Sequence, residues 1–118
     1  MKKVLIVEDD SFLQGLAANK LQKSDFDVTT ASDGEEAMTE LDKNKFDIVL
    51  LDLMLPDISG FDVLKNIHDS HKSTPVIVFS NLSDDKDIKK AMDLGVREYL
   101  VKANFTLEEL VEKVKKAS

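Results

Sequence analysis

Carboxylates directly follow two short apolar runs in this sequence. Residues 4–7 (Val-Leu-Ile-Val) precede Glu8 and Asp9, and residues 48–51 (Ile-Val-Leu-Leu) precede Asp52. An apolar run without polar alternation is typical of a strand that is buried on both faces of a parallel sheet. Ligands bind at the carboxyl ends of the strands in open parallel sheets, so the sequence predicts a functional site that contains these acids.

Two further apolar runs end in residues that could bind an anion. Residues 75–79 precede the hydroxyl of Ser80, and residues 98–101 precede the ammonium group of Lys102. Each residue alone has a structural explanation, because Lys102 could be a surface lysine, Ser80 a turn residue, and the acids a helix N-terminal cluster. Their shared position at strand ends favours a single site.

Three carboxylates at one site repel one another, so a cation or bound protons must accompany them. All-oxygen ligation suits Mg²⁺, which binds through one or two carboxylates together with phosphate oxygens and water. With Asp52 as nucleophile, such a site would form an aspartyl phosphate. Lys102 and Ser80 would offset the charge on the transferring oxygens.

The regions between the strands have the apolar spacing of amphipathic helices. We expect a first helix at about residues 11–23 and a third from Gly60 to about Ser70. A fourth helix should run through Leu94 and stop at Gly95. The expected N-terminal capping residues are Ser11 with Gln14, Asp33 with Glu36, Ser83, and Thr106 with Glu109.

Alternating strands and helices predict an α/β fold, a (βα)₅ doubly wound three-layer sandwich of the flavodoxin-like type. The expected five-stranded parallel sheet has the order 2-1-3-4-5. Strands one and three are then neighbours where the winding reverses, so Glu8, Asp9 and Asp52 should converge.

The composition restricts the classes of function. With 118 residues and a net charge of −7, the chain is expected to be a single domain, residues 1–118, without an effector domain and without direct nucleic-acid binding. It has no cysteine, and we see neither a signal peptide nor a long apolar span. We therefore expect a cytoplasmic protein that does not bind membranes.

The whole chain resembles the receiver domain of two-component response regulators. The matching residues, in the family's order and spacing, are Glu8, Asp9, Asp52, Pro56, Gly60, Ser80, Tyr99 and Lys102.

This resemblance implies a role for each residue of the acidic site. Asp52 would be the phosphoacceptor, Asp9 a direct Mg²⁺ ligand, and Glu8 a closer or water-mediated ligand. The backbone carbonyl of Met54 would be the third protein ligand.

The resemblance also implies a switch and a set of partners. The Ser80 hydroxyl would move to a phosphoryl oxygen while the Tyr99 ring turns inward. The phosphoryl donor would be a phosphohistidine on a sensor histidine kinase or histidine phosphotransfer protein, and the output would be a downstream effector protein.

The sequence departs from the family after Lys102, where Ala103 and Asn104 replace the usual proline. A cis bond costs a non-proline residue about 3–4 kcal/mol, so we expect a trans Lys102–Ala103 peptide. The face formed by helix four, strand five and helix five lacks the arginine-rich pattern of subfamilies that dimerise there, and Arg97 stands where an acid is common. We do not expect that dimer.

Three other functions share part of this pattern. A Mg²⁺-dependent phosphohydrolase with an aspartyl nucleophile would usually carry a second acid two residues after Asp52, where this chain has Met54. A flavin-binding protein would share the fold, but the acids after strand one would repel its phosphate. An unphosphorylated receiver-like binding module is the third alternative.

Overall fold

The computed structural model describes residues 1–118 and contains one five-stranded parallel sheet. Its strand order is β2-β1-β3-β4-β5, which confirms the predicted topology. The strands are β1 (Lys2–Val7), β2 (Phe26–Ala31), β3 (Ile48–Leu51), β4 (Val76–Ser80) and β5 (Glu98–Val101).

Five helices alternate with the strands and cover both faces of the sheet. They are α1 (Ser11–Lys23), α2 (Gly34–Lys43), α3 (Gly60–Ser70), α4 (Asp85–Asp93) and α5 (Leu107–Ala117). Apolar residues of α1 and α5 pack on one face, and those of α2, α3 and α4 pack on the other. The result is the three-layer sandwich expected from short βα units.

The strand sequences explain why both faces are covered. Every residue of β3 is buried, and alternate residues point to opposite faces of the sheet. Val49 and Leu51 belong to the core under α2, α3 and α4, whereas Ile48 and Leu50 belong to the core under α1 and α5. A strand with only apolar residues therefore requires a helical layer on each side.

The strand register brings the functional residues to one edge of the sheet. Val7 is paired with Leu51, so Glu8 and Asp52 are the next residues beyond two neighbouring strands. Ser80 ends β4 opposite Val101, and Lys102 follows directly. The fold places an acid, a hydroxyl and a cation at the carboxyl ends of adjacent strands.

Two of the expected helix caps are wrong. Asp10, rather than Ser11, caps α1, and its carboxylate accepts the N–H groups of Phe12 and Leu13. Helix α4 begins at Asp85 after Asp84, so Ser83 is not its capping residue. In both helices the cap is the aspartate directly before the first helical residue, because a capping residue has extended backbone angles. Each of these aspartates is the sequence neighbour of the serine that we expected.

The caps at Asp33 and Thr106 and the stop at Gly95 are confirmed, although Glu36 does not accept the N–H of Asp33 and the capping box expected at α2 is therefore only half formed. Asp33 accepts the N–H of Glu36 at the start of α2, and Thr106 and Glu109 form a complete capping box at α5. Gly95 has a φ of 86° just after α4, a left-handed conformation that glycine adopts without strain.

The chain contains no cis peptide bond, so the Lys102–Ala103 bond is trans as expected. Residues Lys102–Asn104 form a short 3₁₀ turn that leads into α5. None of the helices combines the length and the apolar character needed to span a bilayer.

Candidate functional site

The Asp52 carboxylate lies at the centre of the site, and only 5% of the residue is exposed. Its Oδ1 accepts a hydrogen bond from the Ser80 hydroxyl (2.8 Å) and one from the Met54 N–H (2.9 Å). Its Oδ2 accepts a hydrogen bond from the Lys102 ammonium (2.7 Å). Three hydrogen-bond donors therefore surround the carboxylate of this buried acid.

Lys102 bridges the two buried carboxylates of the site. Its Nζ lies 2.7 Å from Glu8 Oε1 and 2.7 Å from Asp52 Oδ2. Burial is the largest single influence on its pKa and acts to lower it, but the hydrogen bonds to Asp52 and Glu8 together raise the pKa above the usual lysine value. The ammonium group is a fixed positive charge at neutral pH.

Glu8 is a buried acid whose carboxylate lies beside that of Asp52. Burial raises its pKa, with a further contribution from the charge of Asp52, although Lys102 acts against this rise. Its second oxygen, Oε2, accepts the N–H of Asp10 (3.1 Å). Both oxygens of Glu8 thus already have protein partners.

Asp9 completes an acidic cluster at the edge of the sheet. Carboxylate oxygens of Glu8, Asp9 and Asp52 lie within 4.8 Å of one another, and Asp9 is exposed while the other two are buried. Hard oxygen ligands at this spacing fit a small divalent cation. The predicted convergence of the three acids is therefore confirmed.

A chain of hydrogen bonds connects Asp52 to Tyr99. The Ser80 hydroxyl that binds Asp52 also accepts the N–H of Leu82 (3.3 Å), and the Leu82 carbonyl accepts the Tyr99 hydroxyl (2.7 Å). Burial, followed by the charges of Asp87 and Asp52, raises the pKa of Tyr99 to about 12. Tyr99 is therefore protonated and acts as the donor to the loop after β4.

The loop after Asp52 folds back tightly on itself. The N–H of Gly60 donates to the Leu53 carbonyl (3.0 Å), and a Cβ on Gly60 would lie 2.3 Å from the Leu53 Cα. A side chain at position 60 would therefore force the loop away from β3. Met54 lies on this loop beside Asp52, and 52% of it is exposed.

Two contacts of the site were not predicted from the sequence. The Gln14 side chain, assigned above to a capping box, instead donates to the backbone carbonyls of Glu8 (2.8 Å) and Ala31 (3.2 Å). The Leu82 carbonyl links the loop after β4 to Tyr99. Both contacts involve backbone carbonyls, which carry no residue-specific sequence signal.

Helix α1 presents apolar side chains to solvent close to the acidic cluster. Phe12 is 76% exposed and Leu16 is 40% exposed, and their spacing of four residues puts them on one side of the helix. The helix begins two residues after Asp9. Phe12 and Leu16 therefore form a strip of exposed apolar side chains on the helix that follows Asp9.

A family model described as the response regulator receiver domain matches residues 4–115. Response regulator ArlR from Staphylococcus saprophyticus is 35% identical over 98% of this chain and 51% of its own length. The alkaline phosphatase synthesis transcriptional regulatory protein PhoP from Bacillus subtilis is 33% identical over 97% of this chain and 47% of its own length. The chain thus spans about half the length of these curated relatives.

A solved structure provides a comparison over the full chain. The response regulator protein TrrA from Thermotoga maritima, in complex with Mg²⁺-BeF, is 33% identical with a TM-score of 0.89. The alignment covers 100% of both chains.

Proposed function

Because the chain belongs to the response regulator receiver domain family, we propose that it accepts a phosphoryl group on Asp52 and thereby acts as a signalling switch. The observation that carries this proposal is the environment of Asp52, whose buried carboxylate lies beside two other acids and is bound by Lys102 and Ser80. This set favours phosphoryl transfer over flavin binding, because the acids would repel a flavin phosphate. It also favours transfer over an unphosphorylated receiver-like binding module.

In the proposed reaction a carboxylate oxygen of Asp52 forms a bond to phosphorus. The bond between phosphorus and the donor nitrogen breaks, and the electron pair and a proton remain with the departing imidazole. Lys102 and Ser80 then bind oxygens of the transferred group instead of the bare carboxylate, which offsets the negative charge that spreads over those oxygens.

The acidic cluster fits Mg²⁺ in the type and number of its ligands. Asp9 and Asp52 would hold the ion, and the Met54 carbonyl would be a further ligand. Glu8 would bind the ion either by moving closer to it or through a water molecule. When bound, the ion would neutralise charge on the acids and on the phosphoryl oxygens. The structural relative TrrA was solved with Mg²⁺-BeF, which supports this choice of metal.

The hydrogen-bond chain from Asp52 to Tyr99 supports a switch role for Ser80 and Tyr99. A Ser80 hydroxyl that turns to a phosphoryl oxygen gives up its bond to Asp52 Oδ1 and changes its contact with the Leu82 N–H. Leu82 also accepts the hydrogen bond of the Tyr99 hydroxyl through its backbone carbonyl. Phosphorylation would therefore alter the position of Tyr99 and the surface around it.

We further propose that the phosphoryl donor is a phosphohistidine on a sensor histidine kinase or a histidine phosphotransfer protein. The exposed apolar strip of Phe12 and Leu16 offers this donor a docking surface next to Asp52. The phosphorylated form would act on a downstream effector protein, and the chain would catalyse only its own phosphorylation and slow dephosphorylation. The net charge of −7 argues against nucleic-acid binding by these 118 residues.

The test is incubation with a small-molecule phosphodonor, with and without Mg²⁺, followed by intact-mass measurement. We expect one phosphoryl group per chain, which requires Mg²⁺ and is labile in base. Asp52→Asn is the matched control because it keeps the shape of the side chain and removes the nucleophile. Base-labile phosphate on that variant would contradict the assignment.

A further inference from the structure

The loop between β3 and α3 is attached to a second element of the fold through Asp57. Its Oδ1 accepts the N–H of Gly34 (2.8 Å) and its Oδ2 accepts the N–H of Glu35 (2.9 Å). These are the first two N–H groups of α2, which have no partner within the helix. The carboxylate thus caps a helix that lies more than twenty residues earlier in the chain.

The same loop also packs directly on the start of α2. A Cβ on Gly34 would lie 2.3 Å from Cγ1 of Ile58, so the Ile58 side chain occupies the space that any larger residue at position 34 would need. The two hydrogen bonds lower the pKa of Asp57, that from Gly34 most strongly, so the carboxylate is ionised at neutral pH. A negative charge at a helix N-terminus is also favoured by the helix dipole.

The loop is otherwise held by apolar contacts, because Leu53 belongs to the core and Leu55 and Ile58 pack against it. The segment from Leu53 to Ser59 has no regular structure, and Met54, Pro56 and Asp57 are exposed. The only hydrogen bonds from this segment to an element other than β3 and α3 are those of the Asp57 carboxylate. At the other end of the segment, the Met54 N–H donates to Asp52 Oδ1.

We propose that Asp57 is a positioning residue for the segment from Leu53 to Ser59, which we call the acceptor loop. Asp57 sets the geometry of this loop by clamping it to the N-terminus of α2. It touches neither the acceptor nor the acidic cluster and acts through the backbone at Met54. Loss of the clamp would free the Met54 amide that binds Asp52 and the Met54 carbonyl proposed as a metal ligand. This inference rests on the proposed function for its effect on Mg²⁺, but the clamp itself can be tested without metal.

The chain offers a matched control, because Asp33 caps the same end of α2. Its carboxylate accepts the N–H of Glu36 (2.8 Å), but Asp33 is not part of the acceptor loop. Asp57→Ala and Asp33→Ala should therefore both lower the urea midpoint of unfolding, since each removes a cap of one helix. Only Asp57→Ala should change the acceptor loop.

The first measurement is amide hydrogen exchange in the metal-free protein. We expect faster exchange at Met54 and Gly60 in Asp57→Ala and unchanged exchange there in Asp33→Ala. The variant Asp57→Asn keeps one acceptor oxygen and should give an intermediate rate. Unchanged exchange at Met54 and Gly60 in Asp57→Ala, or equal acceleration in Asp33→Ala, would overturn the clamp.

The second measurement is Mg²⁺ binding by calorimetry. Residues that orient metal ligands change affinity by roughly tenfold or more, so the Mg²⁺ dissociation constant of Asp57→Ala should rise roughly tenfold. That of Asp33→Ala should stay close to the wild-type value. Equal Mg²⁺ affinities in both variants would refute the positioning role, whereas a wild-type protein that binds no Mg²⁺ would refute the proposed function and leave the exchange result to decide the clamp.

Discussion

Lys102 is the only basic side chain that pairs with the two buried carboxylates, so Lys102→Met tests the electrostatics of the site. Each of its ion pairs spans 2.7 Å, which corresponds to about 6 kcal/mol of attraction at an effective dielectric constant of about 20, before desolvation is counted. Methionine keeps the length of the side chain but removes its charge. Glu8 and Asp52 would then repel each other with no protein cation between them.

The net cost is smaller than the sum of those attractions, because burying the charges already opposes them. Removing one partner of a buried ion pair costs about 3–5 kcal/mol. The Lys102 side chain is 14% exposed, and Glu8 can relieve the repulsion by taking up a proton. We therefore expect the free energy of unfolding to fall by about 3 kcal/mol, the lower end of that range.

The assay is urea unfolding followed by circular dichroism at neutral pH in the presence of a chelator. Lys113→Met is the matched control, because Lys113 pairs with Glu98 at 2.9 Å with side chains 35% and 37% exposed. A pair that is this open to solvent should contribute about 1 kcal/mol or less. A loss in Lys102→Met no larger than that in Lys113→Met would refute the reasoning.

The pH dependence gives a second check on the same variant. The folded pKa of Glu8 is raised, so its contribution to stability is complete below the unfolded pKa and is lost as pH rises through the folded value. Removal of Lys102 should raise the Glu8 pKa further. The stability deficit of Lys102→Met should therefore shrink as pH falls toward the range in which Glu8 is protonated, and a deficit that grows on acidification would contradict this account.

Three further outcomes are expected. The double variant Met54→Asn, Leu82→Glu should lose its phosphoryl group faster than the wild type, because polar side chains beside Asp52 can orient the attacking water; equal or slower decay would count against this idea. Tyr99 is the only tyrosine, so ultraviolet titration should give one midpoint, at about 12, and a midpoint at the ordinary value would show that the phenol is not shielded. Phe12→Ala should slow transfer from a phosphohistidine protein but not from a small phosphodonor, and equal slowing with both donors would exclude a docking role.

Most of the fold could be predicted from the sequence because the strands are buried on both faces. The uninterrupted apolar residues of β1 and β3 leave no polar face, so they require helices on either side. The expected caps at Ser11 and Ser83 failed because capping depends on local backbone angles. An adjacent aspartate has the extended geometry in both cases.

The acidic site could be predicted because topology alone brings strand ends together. Glu8 and Asp52 follow paired residues of β1 and β3, so their proximity depends only on strand order and register. The clamp through Asp57 and the link through the Leu82 carbonyl could not be predicted in this way. They depend on how two loops fold, and loop conformation has no periodic sequence signal.

The most direct test of the central claim is to locate the phosphoryl group chemically. Borohydride reduces an aspartyl phosphate to homoserine, so phosphorylated protein can be reduced, digested and mapped by peptide mass. We expect homoserine at position 52 alone, and only after incubation with both phosphodonor and Mg²⁺. Homoserine at Asp9 or at another aspartate, or none under those conditions, would contradict the assignment of Asp52.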